Sequence, residues 1–349
     1  MKHMRYLNKI AITACLLASG LSLEAGNPQR AGSAGAPELL INPWARSSGW
    51  GGVNIAGVTG VESAFINIAG IASTEGTDVS FSNTQWLVGA GINMNAAGFA
   101  QSVGSNGVLS ANFVSFDYGS WERTTIDNPD GGIGEISPST AIIGLGYAQR
   151  FIKSIRGGVN LKIYTTSIVD VTVTSASVDA GVQYVTGKRE QIKFGITLRN
   201  IGPNAQYEGE GKSITLVVPN GGYAQEYNER SESFELPTTL SIGGSYDFAF
   251  NKQRLTVAGA FQSNSFEKDL YTAGVEYSFK ELLTLRTAYS FWDNRDYEVT
   301  TTVFTGFSAG VSVDMPLSKN NDNTFGLDYS YRSTSFFDGV HSIGVSVSL

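Results

Sequence analysis

The sequence predicts an all-β protein: a transmembrane antiparallel β-barrel of about fourteen strands with its N-terminal segment in the lumen. Three observations predict it. From Thr77 onward the chain repeats runs of about ten residues in which apolar side chains alternate with polar or small ones, each run closed by turn residues. The composition is poor in charge, at 16% against about 25% for a soluble protein, and rich in glycine (41), Phe (19) and Tyr (15). No stretch of about 18 apolar residues follows the N-terminus, which excludes spanning helices and leaves strands that are apolar on one face. The order of the connections, which alternate between short and long, agrees with all three. The length of 349 residues fits two soluble domains or one large barrel and decides nothing alone.

Residues 1–25 have the pattern of a secretory signal. Lys2, Arg5 and Lys9 supply the basic start, Ile10 to Leu23 the apolar centre, and Ala25 a small residue at the expected cut. Ile12-Thr13-Ala14-Cys15 resembles a lipoprotein box, but its Cys falls too early in the apolar run to be the expected acceptor. With that leader removed the chain has no cysteine, so thiol chemistry and disulfides are not expected.

Residues 26–76 do not alternate and are too rich in Gly, Ala and Ser to form an independent domain. Leu39, Leu40, Ile41, Phe65, Ile66 and Ile71 nevertheless need burial, and the barrel lumen is the nearest place. The expected domains are thus 1–25, 26–76 and a barrel over 77–349.

The strands are expected at 78–87, 91–101, 107–123, 139–151, 157–168, 172–186, 191–200, 238–250, 253–263, 269–279, 282–292, 305–316, 323–333 and 340–349. Ile192, Phe194, Ile196 and Leu198 share one face of a strand, against Lys193, Gly195, Thr197 and Arg199 on the other. A soluble sandwich alternates too; the scarcity of charge on the polar face and the aromatics at strand ends favour the membrane. Connections after even strands are short, and those after odd strands include every long one: 124–138, 201–237 and 293–304. Short periplasmic turns and long outer loops are what a bacterial barrel has. The chain ends on Ile343, Val345, Val347 and Leu349 in alternation, as a closing strand does.

The two ends differ in charge. Basic residues such as Lys153, Arg156, Lys188, Arg189 and Lys252 flank the short turns, while the 201–237 loop carries Glu208, Glu210, Glu226, Glu229, Glu232 and Glu235. Charge runs usually keep a rim solvated, but a loop this long also fits a docking surface. Glu226, Glu229 and Glu232, with the aromatic tip Phe336-Phe337, are the residues expected to meet a partner; interfacial lipid explains the two phenylalanines nearly as well. The net charge of −7 and the absence of a basic stripe exclude nucleic acid as a partner.

No catalytic or metal-binding constellation is expected, and no cofactor. Apart from His3 in the leader, His341 is the sole histidine, and its neighbour Ser342 faces the opposite side of the strand. No His or Cys cluster has ligand spacing. Gly209-Glu210-Gly211-Lys212 lacks the spacing and the following helix of a phosphate loop. Lys162, Asp179, Arg199, Glu276, Arg286, Asp314, Asp328 and Arg332 fall on the lumenal face, where they are expected to pair with one another or with plug backbone.

The segment before the barrel reads Ala34-Gly-Ala-Pro-Glu-Leu-Leu-Ile41, then Ala45-Arg46-Ser-Ser-Gly49-Trp50-Gly51-Gly52, then Glu62-Ser-Ala-Phe-Ile-Asn67-Ile68-Ala69-Gly70-Ile71-Ala72. Over about residues 34–72 it resembles the N-terminus of the PorV/PorQ family of outer-membrane proteins from Bacteroidota, and more distantly the FadL-type fatty acid transporters. Trp50 stands where the family has Met, and Ile68 where it has Pro, which removes a rigid turn. The motif positions are Arg46, Gly49, Trp50, Gly51, Gly52, Asn67, Ala69 and Gly70. The resemblance implies a monomeric, FadL-like barrel, plugged by this segment and acting in type IX secretion. Its partners would be outer-membrane lipid, the type IX translocon barrel and secreted cargo proteins, received by their C-terminal signal domains and passed to the attachment machinery. The alternative is a FadL-like conduit for hydrophobic small molecules, with an apolar lumenal pocket, a side opening and a movable plug. A structural barrel without a dedicated ligand is the third reading.

Overall fold

A computed structural model describes residues 28–209, 211, 213–217, 221–292, 302–317 and 323–349. The expected leader, most of the 293–304 loop and most of the 317–322 turn lie outside the described residues. In chain order the strands are β1 (Thr77–Trp86), β2 (Ile92–Val103), β3 (Gly107–Asp117), a short outer pair β4 (Trp121–Glu122) and β5 (Glu135–Ile136), β6 (Ser139–Ile152), β7 (Ile155–Ile168), β8 (Val171–Thr186) and β9 (Ile192–Ile201). A second outer pair, β10 (Ser213–Val217) and β11 (Ala224–Asn228), precedes β12 (Thr239–Phe250), β13 (Gln253–Asn264), β14 (Leu270–Phe279), β15 (Leu283–Trp292), β16 (Phe304–Pro316), β17 (Thr324–Thr334) and β18 (Val340–Ser348).

Fourteen of these close into one antiparallel barrel, with β1 hydrogen-bonded to both β2 and β18. Closure leaves no strand edge inside the bilayer, where an unpaired N–H or C=O would have no water to bond. The seam is completed where Thr77 and Leu349 exchange backbone hydrogen bonds.

Alternation translates directly into inside and outside. Phe194 and Ile196 are about half exposed on the outer face, whereas Gly195, Thr197 and Arg199 between and beyond them are buried in the lumen. Aromatics concentrate near strand ends, as in the outward ladder Phe261, Tyr271 and Phe291, whose neighbouring rings lie 5.1 and 5.5 Å apart. This is an interfacial girdle.

Two expected elements differ. The third strand stops at Asp117 rather than at 123, because the Asp117 carboxylate accepts the backbone N–H of Gly119, whose φ is 81°. The chain turns there, and Trp121–Glu122 pairs with Glu135–Ile136 outside the wall. The 201–237 connection, expected as a loop, carries the β10–β11 hairpin.

Candidate functional site: the plugged lumen

The plug enters from the outer rim. Arg30 pairs with Glu235 at 2.6 Å, and Gly35 donates to the Glu235 carbonyl, tying the segment to the longest outer loop. It then descends through helices of one or two turns at Pro37–Leu40, Ala45–Ser48, Asn54–Ala56, Ser63–Ile66 and Ile68–Ser73 to reach β1. Helices this short do not persist alone in water; packing against the wall holds them.

The plug is held differently on its two sides. Toward β2–β8 the contact is apolar: Leu39, Trp44, Val61, Ile68 and Ile71 form one core with Met94, Val108, Phe116, Ile142, Tyr164 and Val173 of the wall. Each large aliphatic side chain buried this way contributes about 1.5–3 kcal/mol. Alternation alone did not reveal this, since a lumenal face covered by a plug is free to be apolar on both sides of the strand.

Toward β16 and β17 the contact is ionic, while Trp50 and Val53 pack on Ala258 of β13 and Ala288 of β15. Arg46 donates to Asp314 at 2.7 Å and Asp328 at 3.0 Å, and lies 3.7 Å from Glu62. Glu62 in turn accepts the backbone N–H of Ser47 at 3.0 Å. The chain of contacts continues around the wall through Asp328, Ser312, Arg286, Glu276 and Arg254. Lumenal charges thus pair with one another, and Arg199 donates to the Phe65 carbonyl at 2.8 Å. Lys162 and Asp179 form a buried pair at 2.8 Å. Arg332 departs from that pattern: among the described residues it has no acidic partner, and its guanidinium lies 3.7 Å over the Phe304 ring.

The motif positions fall on the plug–wall contact. Asn67 is buried; its amide donates to the carbonyls of Ile55 (3.0 Å), Val182 (3.2 Å) and Ile196 (3.5 Å), while its oxygen accepts the Ala69 N–H. One side chain therefore caps the following helical turn and bonds to β8 and β9. That requires bare wall: a Cβ at Gly181 would lie 2.1 Å from the Asn67 oxygen, and one at Gly195 2.5 Å from the Ile55 carbonyl. Gly51 and Gly52 turn the chain at φ of 59° and 72°, a region only glycine enters freely. Gly49 lies against Gly310 of β16, Gly70 against the Val58 carbonyl, and the Trp50 ring over Gly274 of β14. Ile68, in the place of the family's proline, is 1% exposed and packs over Gly146 of β6.

Glu226, Glu229 and Glu232 are exposed on or beside the β10–β11 hairpin, and Phe336 and Phe337 on the β17–β18 turn, far from the plug in sequence. His341 faces outward and shares a 2.7 Å hydrogen bond with the Tyr329 hydroxyl. Ser342 points into the lumen toward Thr84.

Two spaces flank the plug. On its outer side a cavity of about 100 Å³ is lined by Leu40, Ile55, Phe65, Ile66, Ala260 and Leu270, with Arg199 and Arg332 among its polar edges. On the periplasmic side a vestibule of about 480 Å³ is bordered by Arg46, Glu62, Asp78 and Asp328. The ladder of the wall is irregular between β6 and β7, between β16 and β17, and between β8 and β9. Asp179 of β8 stands opposite both Arg199 and Asn200 of β9, and Asn200 adopts φ 60° to allow the bulge. Beyond it Val171–Ser177 has no partner on β9, and Glu208 of the outer loop bonds to Thr172 instead.

A closed fourteen-strand barrel filled by an N-terminal plug defines a FadL-like outer-membrane barrel fold. Solved structures with this fold include the CymD monoaromatic hydrocarbon channel, at 13% identity and TM-score 0.53 over 88% of this chain and 97% of that one. A deltaS2S3 mutant of the TodX monoaromatic hydrocarbon channel matches at 10% identity and TM-score 0.54, over 87% and 97%. A FadL homologue from Pseudomonas aeruginosa matches at 10% identity and TM-score 0.52, over 86% and 98%. No protein-family model matches the chain, and no curated protein does.

Proposed function

We propose that this chain is an outer-membrane conduit for hydrophobic small molecules. The observation that carries the reading is the cavity on the outer side of the plug, walled by Leu40, Ile55, Phe65, Ile66, Ala260 and Leu270. Asn42, Ser48, Ser241, Gln262 and Thr272 also line it, so the site is part apolar and part polar. Arg199 and Arg332 at its edge suit a molecule with an apolar body and a polar or anionic end. The bulge at Asp179 and Asn200, beyond which β8 has no partner on β9, supports a sideways exit toward the lipid. The charged periplasmic vestibule is a poor path for an apolar molecule, which strengthens that preference. CymD and TodX, which share the fold, are monoaromatic hydrocarbon channels.

The test is uptake by cells that carry or lack the protein, with a labelled monoaromatic hydrocarbon and a labelled long-chain fatty acid. Uptake of either should rise with the protein and fall when Ala260→Trp fills the cavity. Equal uptake with and without the protein, for both probes, would overturn the reading.

A second reading is cargo handling in type IX secretion, which rests on the resemblance of residues 34–72. What favours it is the outer hairpin, where Leu216, Val217, Tyr223 and Tyr227 are exposed beside Glu226. Gentle extraction of the tagged protein from its own membrane tests it. Co-recovery of the translocon barrel or of cargo retaining C-terminal signal domains supports it, and recovery of the barrel alone overturns it.

A further inference from the structure

Asp179, Glu276 and Asp328 each hold a lumenal cation, but two guanidiniums at the periplasmic mouth have no such partner. Arg150 of β6 and Arg156 of β7 stand directly opposite in the register, beside the short turn that joins the strands. Both lie on the lumenal side. Arg150 donates to the Ala72 carbonyl of the plug at 3.4 Å, and Asn160, on the same face of β7 as Arg156, donates to that of Ala64.

Cross-strand neighbours have Cβ atoms about 4.5–5.5 Å apart, and like charges so placed repel. Nothing among the described residues offsets that repulsion directly. Arg156 makes no hydrogen bond and no ion pair there, and the Nε of each guanidinium is buried without an acceptor. Gln183, the neighbour of Arg156 on β8, directs its amide to the Val58 carbonyl, and its oxygen takes no bond from Arg156. Glu190, in the turn between β8 and β9, lies 3.9 Å from Lys153 and pairs with neither arginine. Lys188 and Arg189 of that turn are exposed, so this side of the mouth is positive.

We propose that Arg150 and Arg156 bind a phosphate monoester group at the periplasmic mouth of the lumen. A guanidinium presents a rigid fork of N–H donors that grips two oxygens at once. A carboxylate has only two oxygens, and one fork saturates it. A phosphate has enough for both forks, and its charge of roughly −1.5 to −2 near pH 7 offsets both cations. The buried Nε donors then gain the acceptors they lack.

The experiment titrates inorganic phosphate into the full chain by calorimetry, at low salt in a detergent without phosphate groups. A dissociation constant below about 1 mM is expected, with acetate at least about tenfold weaker. Arg150→Gln and Arg156→Gln should each weaken phosphate binding at least about tenfold while the barrel keeps its heat-modifiable migration. Arg156→Lys keeps the charge without the fork and should weaken it about threefold. Arg123→Gln, in an outer loop, should change nothing. The proposal is overturned if phosphate fails to bind up to about 10 mM or if acetate binds equally well. Undiminished affinity in Arg156→Gln, or in Arg156→Lys should the first not fold, overturns it too. Competition then identifies the source of the group. Displacement of phosphate by dihexanoyl phosphatidic acid at lower concentration supports a lipid headgroup, and no displacement supports a soluble phosphate ester.

Discussion

Arg46 of the plug and Asp328 of β17 are 282 positions apart in sequence, yet the guanidinium Nε lies 3.0 Å from the carboxylate Oδ1. The same guanidinium holds Asp314, so one plug side chain spans β16 and β17. Arg46→Ala should leave Glu62, Asp314 and Asp328 facing one another without their cation. Removing one member of a buried ion pair costs about 3–5 kcal/mol; Arg46 is partly solvated, so about 2–3 kcal/mol is expected here. The urea midpoint in detergent micelles should fall, and single-channel conductance in planar bilayers should rise as the plug loosens on this side. An unchanged midpoint and conductance would show that the apolar side alone seats the plug.

Asn67→Ala tests the other anchor. It removes the bonds to Ile55, Val182 and Ile196 and the cap on the Ala69 N–H. Ile55 keeps a bond from Gln183 and the Val182 and Ile196 carbonyls keep their places in the strand ladders, so a loss of about 1 kcal/mol is expected by urea titration. Asn67→Asp should lose about as much, since a carboxylate cannot donate to those carbonyls.

Gly181→Val and Gly195→Val should both prevent the plug from seating, because the added carbons meet the Asn67 side chain and the Ile55 backbone. Overpacking of this kind costs about 1–3 kcal/mol or more, and protease should cut the plug in the variants but not in the parent protein. Gly259→Ala is the control: nothing lies within 4 Å of its added carbon. Its stability should stay within about 0.5 kcal/mol of the parent.

The turn between β14 and β15 carries a smaller, pH-dependent contribution. Hydrogen bonds from Arg254 hold the Glu281 carboxyl below the usual glutamate range. A depressed folded value means the stabilisation is present above the unfolded value of about 4.3 and fades as pH falls through the folded one. Glu281→Gln should therefore lower the urea midpoint slightly at pH 7 and flatten its decline below about pH 5, so that variant and parent converge at low pH. Because Glu281 is largely exposed, the effect should be small and weaker in high salt.

Strand number and position were legible because period-two alternation is a local property, written into neighbours such as Ile192 to Arg199. The third strand was overextended because its end depends on one side chain, Asp117, folding back on the Gly119 N–H. Residues 34–72 were recognisable as a motif, and Leu39, Ile66 and Ile71 as needing burial. Their partners were not recognisable. Met94, Val108 and Phe116 look like breaks in the polar face until the plug is seen to cover them.

The amino-acid sequence by itself determined a membrane barrel of fourteen strands, which side chains face the lumen, and which end bears the long loops. Those features follow from alternation and turn chemistry over a few residues at a time. Only the tertiary structure decided that Arg46 meets Asp328, that Asn67 bonds to strands β8 and β9, and where the lumenal cavity lies. Closing the barrel brings β1 against β18 and wraps the wall around the plug. Contacts between residues hundreds of positions apart depend on that closure, and no local pattern encodes it.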